Sequence, residues 1–159
     1  MLFDLGSHLV DQAVMLLGPV TDVHAELASV RSRADDDAFV SLSHAGGARS
    51  HLWVSTTTAD PGPRLRVVGT DATFVMAAGD VQEAQLASGM RPSAPGYGRG
   101  EDGRLVTADG SRPVPSEPGR YQDFYALLAS ALLDGAPLPV DPRDALAVVE
   151  LVEGVHRSM

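Results

Sequence analysis

The sequence predicts an α+β fold: a two-layer domain in which an antiparallel-dominated open β-sheet carries helices packed on one face. Two observations lead to this prediction. Helical patterns of apolar residues lie at both ends of the chain, and about five short segments with a period of two lie between them. The turns between those segments are too short to hold crossover helices, so neighbouring strands are expected to run antiparallel. With 159 residues, the chain is long enough for one domain with a sizeable core.

The first helix is strongly apolar between Leu9 and Leu17. Its end is marked by Gly18-Pro19, because glycine tolerates a positive φ and proline cannot continue a helix. Either Ser7 or Asp4 is expected to cap its beginning.

The strands follow the first helix. Alternating residues predict strands over 20–33, 39–44 and 49–57, with a hairpin turn at 45–48, and a further pair over 64–69 and 73–77. The acidic run 35–37 predicts a solvated turn. The three histidines on these strands, His24, His44 and His51, are expected to be solvated or to lie on a sheet face.

Residues 79–118 are rich in Gly, Pro, Ser and Asp and predict a long irregular loop. A formal G-x-G-x-x-G occurs at 98–103. The dinucleotide fingerprint requires a preceding strand and a following helix. Here the proline-containing residues 91–95 precede the stretch and the strand-like residues 104–107 follow it, so it is not expected to bind a nucleotide.

Two helices close the chain. The first has one apolar face and ends at Gly135; the second is capped by Asp141, with Pro142 at its first position. Its predicted buried stripe consists of Ala145, Val148, Val149, Val152 and Val155.

Composition excludes several classes of function. The net charge is −9 and the 12 positive residues are scattered arginines, so no nucleic-acid partner is expected. No run of about 18 apolar residues and no signal peptide is visible, which predicts a cytoplasmic protein without a membrane partner. Because Cys and Lys are absent, thiolate, disulfide and lysine chemistry are excluded.

Asp4, His8 and Asp11 are spaced i, i+4, i+7, which places three polar side chains in one stripe of a helix. A buried polar group without a partner costs about 1–3 kcal/mol, so the stripe is expected to face a cleft, a partner or a ligand. Alternatively, Asp4 is only a cap and His8 a hydrogen-bonded core histidine. The same three residues also suit a divalent metal ion. The residues alone leave these alternatives open.

Residues 4–11, Asp-Leu-Gly-Ser-His-Leu-Val-Asp, resemble the D-x-G-x-H-x-x-D motif of the Gfo/Idh/MocA family of NAD(P)-dependent dehydrogenases. Residues 63–72 are similar to the family's strand-turn-strand pattern R-x-x-V-x-G-T-x-G, with Asp71-Ala72 as a departure at the turn. Residues 141–145 resemble the start of its last helix. These landmarks occur in family order and span nearly the whole chain.

The resemblance implies that residues 1–159 are the C-terminal substrate-binding and oligomerisation domain of a two-domain dehydrogenase. The family's N-terminal Rossmann domain, which supplies a lysine and binds most of the NAD or NADP, is absent from the chain, so the chain alone is expected to be inactive. The implied substrate is a sugar or polyol hydroxyl, and the implied partner is a second copy packed on the open sheet face.

The resemblance also implies roles for individual residues. His8 is the acid/base, and Asp4 holds the substrate hydroxyl or tunes the histidine. Asp11 and Tyr97, the one aromatic residue of the 79–118 stretch, are weaker candidates for substrate contact. No residue is assigned to a metal or to the cofactor. Two other functions stay open: a stand-alone, non-catalytic module that binds a sugar or a protein, and a metal-dependent hydrolytic domain.

Overall fold

The computed structural model describes residues 1–157. The chain forms two compact units, one comprising Met1–Ala59 with the segment from Val140 onward, and the other comprising Asp60–Pro139. None of the helices in the described residues is sufficiently long and apolar to span a membrane.

The sheet of the first unit has three antiparallel strands in the order β1 (Val20–Ala28), β2 (Asp37–His44) and β3 (Arg49–Ser55). In the central strand every second residue is buried, as the period of two predicts. The register places Val40 of β2 opposite Ala25 of β1 and Leu52 of β3. One face of this sheet is therefore apolar and covered.

The helices that cover this face are α1 (Ser7–Leu17), which continues a π-helical turn over Leu2–Gly6, and α4 (Pro142–Arg157). Their apolar side chains form a single core with the inner face of β2. That core consists of Leu2, Val10, Ala13, Ala38, Val40, Leu42, Val148, Val152 and Val155. The two-layer arrangement with helices on one sheet face is present in this unit.

The ends of the helices follow the local signals in the sequence. α1 stops at Gly18, where φ is +83°. α4 starts after Asp141, whose Oδ1 accepts the Arg143 N–H at 2.9 Å. Of its predicted buried stripe, Val148, Val152 and Val155 are buried, whereas Ala145 and Val149 are exposed.

The second unit contains a four-stranded antiparallel sheet and two helices. The strands follow chain order: β4 (Leu65–Val68), β5 (Thr73–Met76), β6 (Gly103–Thr107) and β7 (Gly110–Val114). The helices are α2 (Gln82–Ala87) and α3 (Tyr121–Asp134), which ends at Gly135 in the left-handed conformation. No residue of α3 is buried, and Leu132 and Leu133 are 74% and 82% exposed.

The α+β class is confirmed, and the strands are divided between two antiparallel sheets. The prediction of an irregular loop over 79–118 is wrong for α2 and β7, whereas the strand-like residues 104–107 lie in β6. Glycine and proline weaken the strand signals in this stretch, because both residues disfavour strands. In this sheet, however, one glycine and one proline each occupy a position that suits them. A Cβ at Gly103 would collide with the Phe74 ring of β5, and Pro113 lies on the edge strand, where its missing N–H costs no ladder bond.

Candidate functional site

The acid–imidazole segment begins with the π-helical turn Leu2–Gly6. The Met1 carbonyl accepts the N–H groups of Asp4 at 3.1 Å and of Gly6 at 3.3 Å. Bonds between residues five apart define a π-turn, and such turns are frequent at functional sites. The turn places Asp4 within the helical segment rather than in front of it.

The prediction that Ser7 or Asp4 caps the helix is wrong. Ser7 has helical angles, φ −56° and ψ −40°, and its Oγ donates to the Asp4 carbonyl at 2.7 Å. Neither side chain accepts a capping bond from a backbone N–H. Helical geometry therefore begins at Leu2, before either of the two positions that the capping argument predicts.

The glycine of the motif is explained by a close contact. A Cβ at Gly6 would lie 2.6 Å from Cδ1 of Leu2, whose side chain is fully buried. Because glycine has no side chain, the turn can pack directly against the buried side chain of Leu2.

The side chains of Asp4, His8 and Asp11 are all exposed, while Val10 and Ala13 on the other side of α1 are buried. In the part of the chain that the structure describes, the three exposed side chains have no hydrogen-bond or ion-pair partner. The alternative of a core histidine is therefore wrong for His8. The stripe is available to a ligand or a partner.

The metal alternative gains no support from the arrangement of these residues. Among residues 1–157, no three His, Asp or Glu side chains converge closely enough to hold a metal ion. The stripe offers hydrogen-bonding and proton-transfer groups instead.

Comparisons with known proteins identify relatives of this chain. Residues 1–75 match the family model described as the GFO/IDH/MocA C-terminal domain. The chain is 30% identical over 165 residues to scyllo-inositol 2-dehydrogenase (NADP(+)) IolW of Bacillus subtilis, covering 99% of the chain and 46% of the relative. It is 31% identical to the uncharacterized oxidoreductase YdgJ of Escherichia coli, covering 95% of the chain and 45% of the relative.

A crystal structure from Klebsiella pneumoniae, of a protein classed as an oxidoreductase, superposes with a TM-score of 0.90 at 31% identity, covering 99% of this chain and 47% of that one. The chain belongs to the Gfo/Idh/MocA family. It corresponds to the family's C-terminal domain, and it spans about half the length of the curated relatives that it matches.

The fourth candidate of this Gfo/Idh/MocA domain, Tyr97, lies in the second unit. It is only 6% exposed, and its hydroxyl has no hydrogen-bond partner among the described residues. Its neighbour Gly98 takes a positive φ and donates its N–H to Gln85 Oε1 at 2.7 Å. Tyr97 is thus a buried residue of a tightly packed loop. An unpaired buried hydroxyl is costly, which makes it a group that a water or a ligand would satisfy.

Sequence reasoning missed a polar network at the start of α3. Gln82 Nε2 donates to both oxygens of Asp80, at 3.1 and 3.2 Å, and Gln82 Oε1 accepts the Tyr121 N–H at 2.8 Å. Partial burial raises the pKa of Asp80, but the bonds from the Tyr121 hydroxyl and from Gln82 outweigh it and hold that pKa below its ordinary value. The bond to Asp80 raises the pKa of Tyr121. No local pattern in the sequence reveals this long-range pairing.

The acidic run 35–37 was also misjudged. Asp36 is buried, and its carboxylate accepts three backbone N–H groups, from Val30 at 2.7 Å, Arg31 at 2.6 Å and Ser32 at 2.9 Å. These bonds lower the pKa of Asp36. The run therefore includes the residue that organises the β1–β2 loop, and is not simply a solvated turn.

Of the three strand histidines, His44 lies on the buried face of β2. His44 is 3% exposed, with Nδ1 2.8 Å from the Gly18 carbonyl and Nε2 2.9 Å from Ser50 Oγ. The Nδ1–H therefore donates to the end of α1, and the ring ties that end to the β2–β3 hairpin. His24 and His51 are exposed, as expected.

Proposed function

We propose that this chain acts as the C-terminal, substrate-binding domain of a two-domain dehydrogenase that transfers hydride between a sugar- or polyol-type hydroxyl and NAD(P). The observation that carries the proposal is that Asp4 and His8 are exposed and have no partner among the described residues, within the stretch that resembles the family's D-x-G-x-H-x-x-D motif. The relative named scyllo-inositol 2-dehydrogenase (NADP(+)) supports both the polyhydroxyl substrate class and the cofactor class.

The nucleotide itself does not fit the residues described here. The G-x-G-x-x-G stretch leads into strand β6, not into a helix, and Gly98 is packed against the backbone of Gly119. A dinucleotide needs a helix N-terminus for its pyrophosphate. In the proposal, a Rossmann domain N-terminal to residues 1–159 binds NAD(P), and the 159-residue chain alone has neither activity nor appreciable NAD(P) affinity.

The role of His8 is to move a proton. Oxidation of an alcohol breaks its O–H bond, and the imidazole takes that proton as a general base, a role that histidine fills more often than any other side chain. In the reverse direction the imidazolium returns the proton to the carbonyl oxygen. Because His8 is exposed, a substrate can reach its ring without any rearrangement of the core.

Asp4 and Asp11 suit a hydroxyl-rich substrate. An ionised carboxylate only accepts hydrogen bonds, so it pairs with hydroxyl groups and not with carbonyl groups. We assign Asp4 to the reacting hydroxyl or to the second N–H of His8. Asp11, about one helical turn beyond His8, is assigned to a neighbouring hydroxyl. Tyr97 stays a weaker candidate for substrate contact.

The decisive experiment replaces His8 in the two-domain protein that contains this chain. His8→Ala is expected to lower kcat by about 10²–10⁴-fold, the usual contribution of a general acid–base, while the Kd for NAD(P) stays unchanged. Gln12→Ala, an exposed change on the same helix, serves as the control and is expected to keep wild-type turnover. Normal turnover of His8→Ala would remove His8 from the mechanism.

We also propose that a second copy packs on the open face of the three-stranded sheet. Phe39, His51 and Trp53 form an aromatic cluster there, with ring centroids 5.9 Å apart for Phe39–His51 and 6.1 Å apart for Phe39–Trp53. Trp53 is 73% exposed, and its Nε1–H donates to Asp37 at 3.2 Å. Exposed aromatic residues that cluster in this way are typical of protein interfaces.

A further inference from the structure

The π-helical turn that carries Asp4 is fixed by a carboxylate from the β1–β2 loop. Asp35 Oδ2 accepts the Leu2 N–H at 2.6 Å and also lies 3.1 Å from the Met1 amino group, and the Asp35 side chain is largely buried. The Leu2 side chain lies in the core, so both the backbone and the side chain of Leu2 are held. Because the turn opens at Leu2, this residue sets where the turn starts, two positions before Asp4.

His156, near the end of α4, supports the same turn. Its ring centroid lies 4.8 Å from that of Phe3, and its Nε2 lies 3.9 Å from Asp35 Oδ1. Its Nδ1–H donates to the Val152 carbonyl at 3.2 Å, which fixes the ring on its own helix. Leu2 and Phe3, the two residues directly before Asp4, are therefore tied to other elements, whereas the Asp4 side chain has no partner among the described residues.

The geometry points to Asp35 as a positioning residue for Asp4 and His8: by holding the Leu2 N–H, it fixes the register of the π-helical turn and so the direction of the Asp4 carboxylate relative to the His8 imidazole. This inference rests on the proposed function. Asp35 itself touches no substrate, so its effect is expected on turnover and not on nucleotide affinity.

The first test uses the two-domain protein. Since a misplacement of about 1 Å costs on the order of 10²-fold in rate, Asp35→Ala is expected to lower kcat by at least about tenfold. Asp35→Asn keeps a side-chain oxygen that accepts the Leu2 N–H, and is expected to restore most of the turnover. His44→Gln is the control, because it loosens the other end of α1; it is expected to lower stability but to leave kcat intact.

The inference is overturned if Asp35→Ala turns over at the wild-type rate, or if His44→Gln loses as much turnover as Asp35→Ala does. Should Asp35→Ala fail to fold, Asp35→Glu moves the carboxylate by one methylene group and is expected to lower kcat; a wild-type rate for that variant also contradicts the inference.

A second test uses the 159-residue chain and does not depend on catalysis. The Asp4 and Gly6 amides donate to the Met1 carbonyl, so Asp35→Ala is expected to accelerate their hydrogen exchange, while His44→Gln leaves it unchanged. Unchanged exchange in Asp35→Ala overturns the inference.

The turnover of the two variants separates the inference from the proposed function. If His8→Ala abolishes turnover and Asp35→Ala does not, the positioning role fails and the proposed function stands. If His8→Ala turns over normally, the proposed function fails.

Discussion

Gly6 lies directly against the side chain of Leu2, so closely that a methyl group on Gly6 would approach Leu2 Cδ1 to 2.6 Å. Leu2 is 1% exposed and has little space to withdraw. The glycine of the D-x-G-x-H-x-x-D motif is therefore required by packing beneath the turn, in addition to any role of its neighbours in binding.

Gly6→Ala is accordingly expected to destabilise the fold. Alanine gains about 1 kcal/mol of helix propensity over glycine, but overpacking costs about 1–3 kcal/mol, which leaves a net loss of about 1 kcal/mol. Gly154→Ala in α4 is the matched control, because a Cβ there meets no atom within 4 Å, and it is expected to stabilise by about 0.5–1 kcal/mol. Urea unfolding measures both, and a stabilised Gly6→Ala would contradict the contact.

His44→Leu is expected to lower the free energy of unfolding by about 2–4 kcal/mol. The substitution leaves the Gly18 carbonyl and Ser50 Oγ without their partner, and each unpaired polar group costs about 1–3 kcal/mol. His24→Leu, on the exposed face of β1, is expected to stay within about 0.5 kcal/mol of wild type. Equal unfolding midpoints for the two variants would show that the His44 bonds contribute nothing.

Asp36 is expected to make the fold sensitive to acid. Its pKa is lower in the folded chain than in the unfolded one, because the carboxylate accepts the Val30, Arg31 and Ser32 N–H groups. Its contribution is therefore fully present above the unfolded pKa of about 3.9 and is lost as the pH falls through the lower folded value. Unfolding midpoints of wild type and Asp36→Asn should converge as the pH is lowered from 7 to 3. A constant gap between them would argue against this role.

Trp53→Arg is expected to weaken self-association of the chain. A buried tryptophan at an interface is commonly worth about 2 kcal/mol or more, so the dissociation constant should rise by about 30-fold. Met15→Arg, which is equally exposed at 73% but lies on α1, is expected to leave association unchanged. Sedimentation velocity over a range of concentrations checks both variants. A wild-type chain that stays monomeric throughout would rule out the interface.

The elements that the sequence predicted well are those whose signals are local. Gly18 ends α1, Gly135 ends α3 and Asp141 caps α4, because each of these signals acts within one helical turn. The 45–48 turn joins β2 to β3 for the same reason.

What escaped prediction depends on distant partners. The π-helical turn is held by the burial of Leu2 and by Asp35, 33 positions away, so no local capping rule could place it. Gly103 is a strand residue because Phe74 crosses it, although glycine disfavours strands. For the candidate site, the spacing of Asp4, His8 and Asp11 could be read directly, whereas the network of Asp80, Gln82 and Tyr121 joins residues up to 41 positions apart.

The exposed leucines of α3 have a practical consequence for anyone who handles this chain. Fluorescent dyes such as ANS bind apolar surface and are commonly used to report loosened packing. Leu132 and Leu133 offer such surface in the native fold. A bright dye signal at low temperature is therefore expected from well-folded material, and melting curves are better followed by circular dichroism.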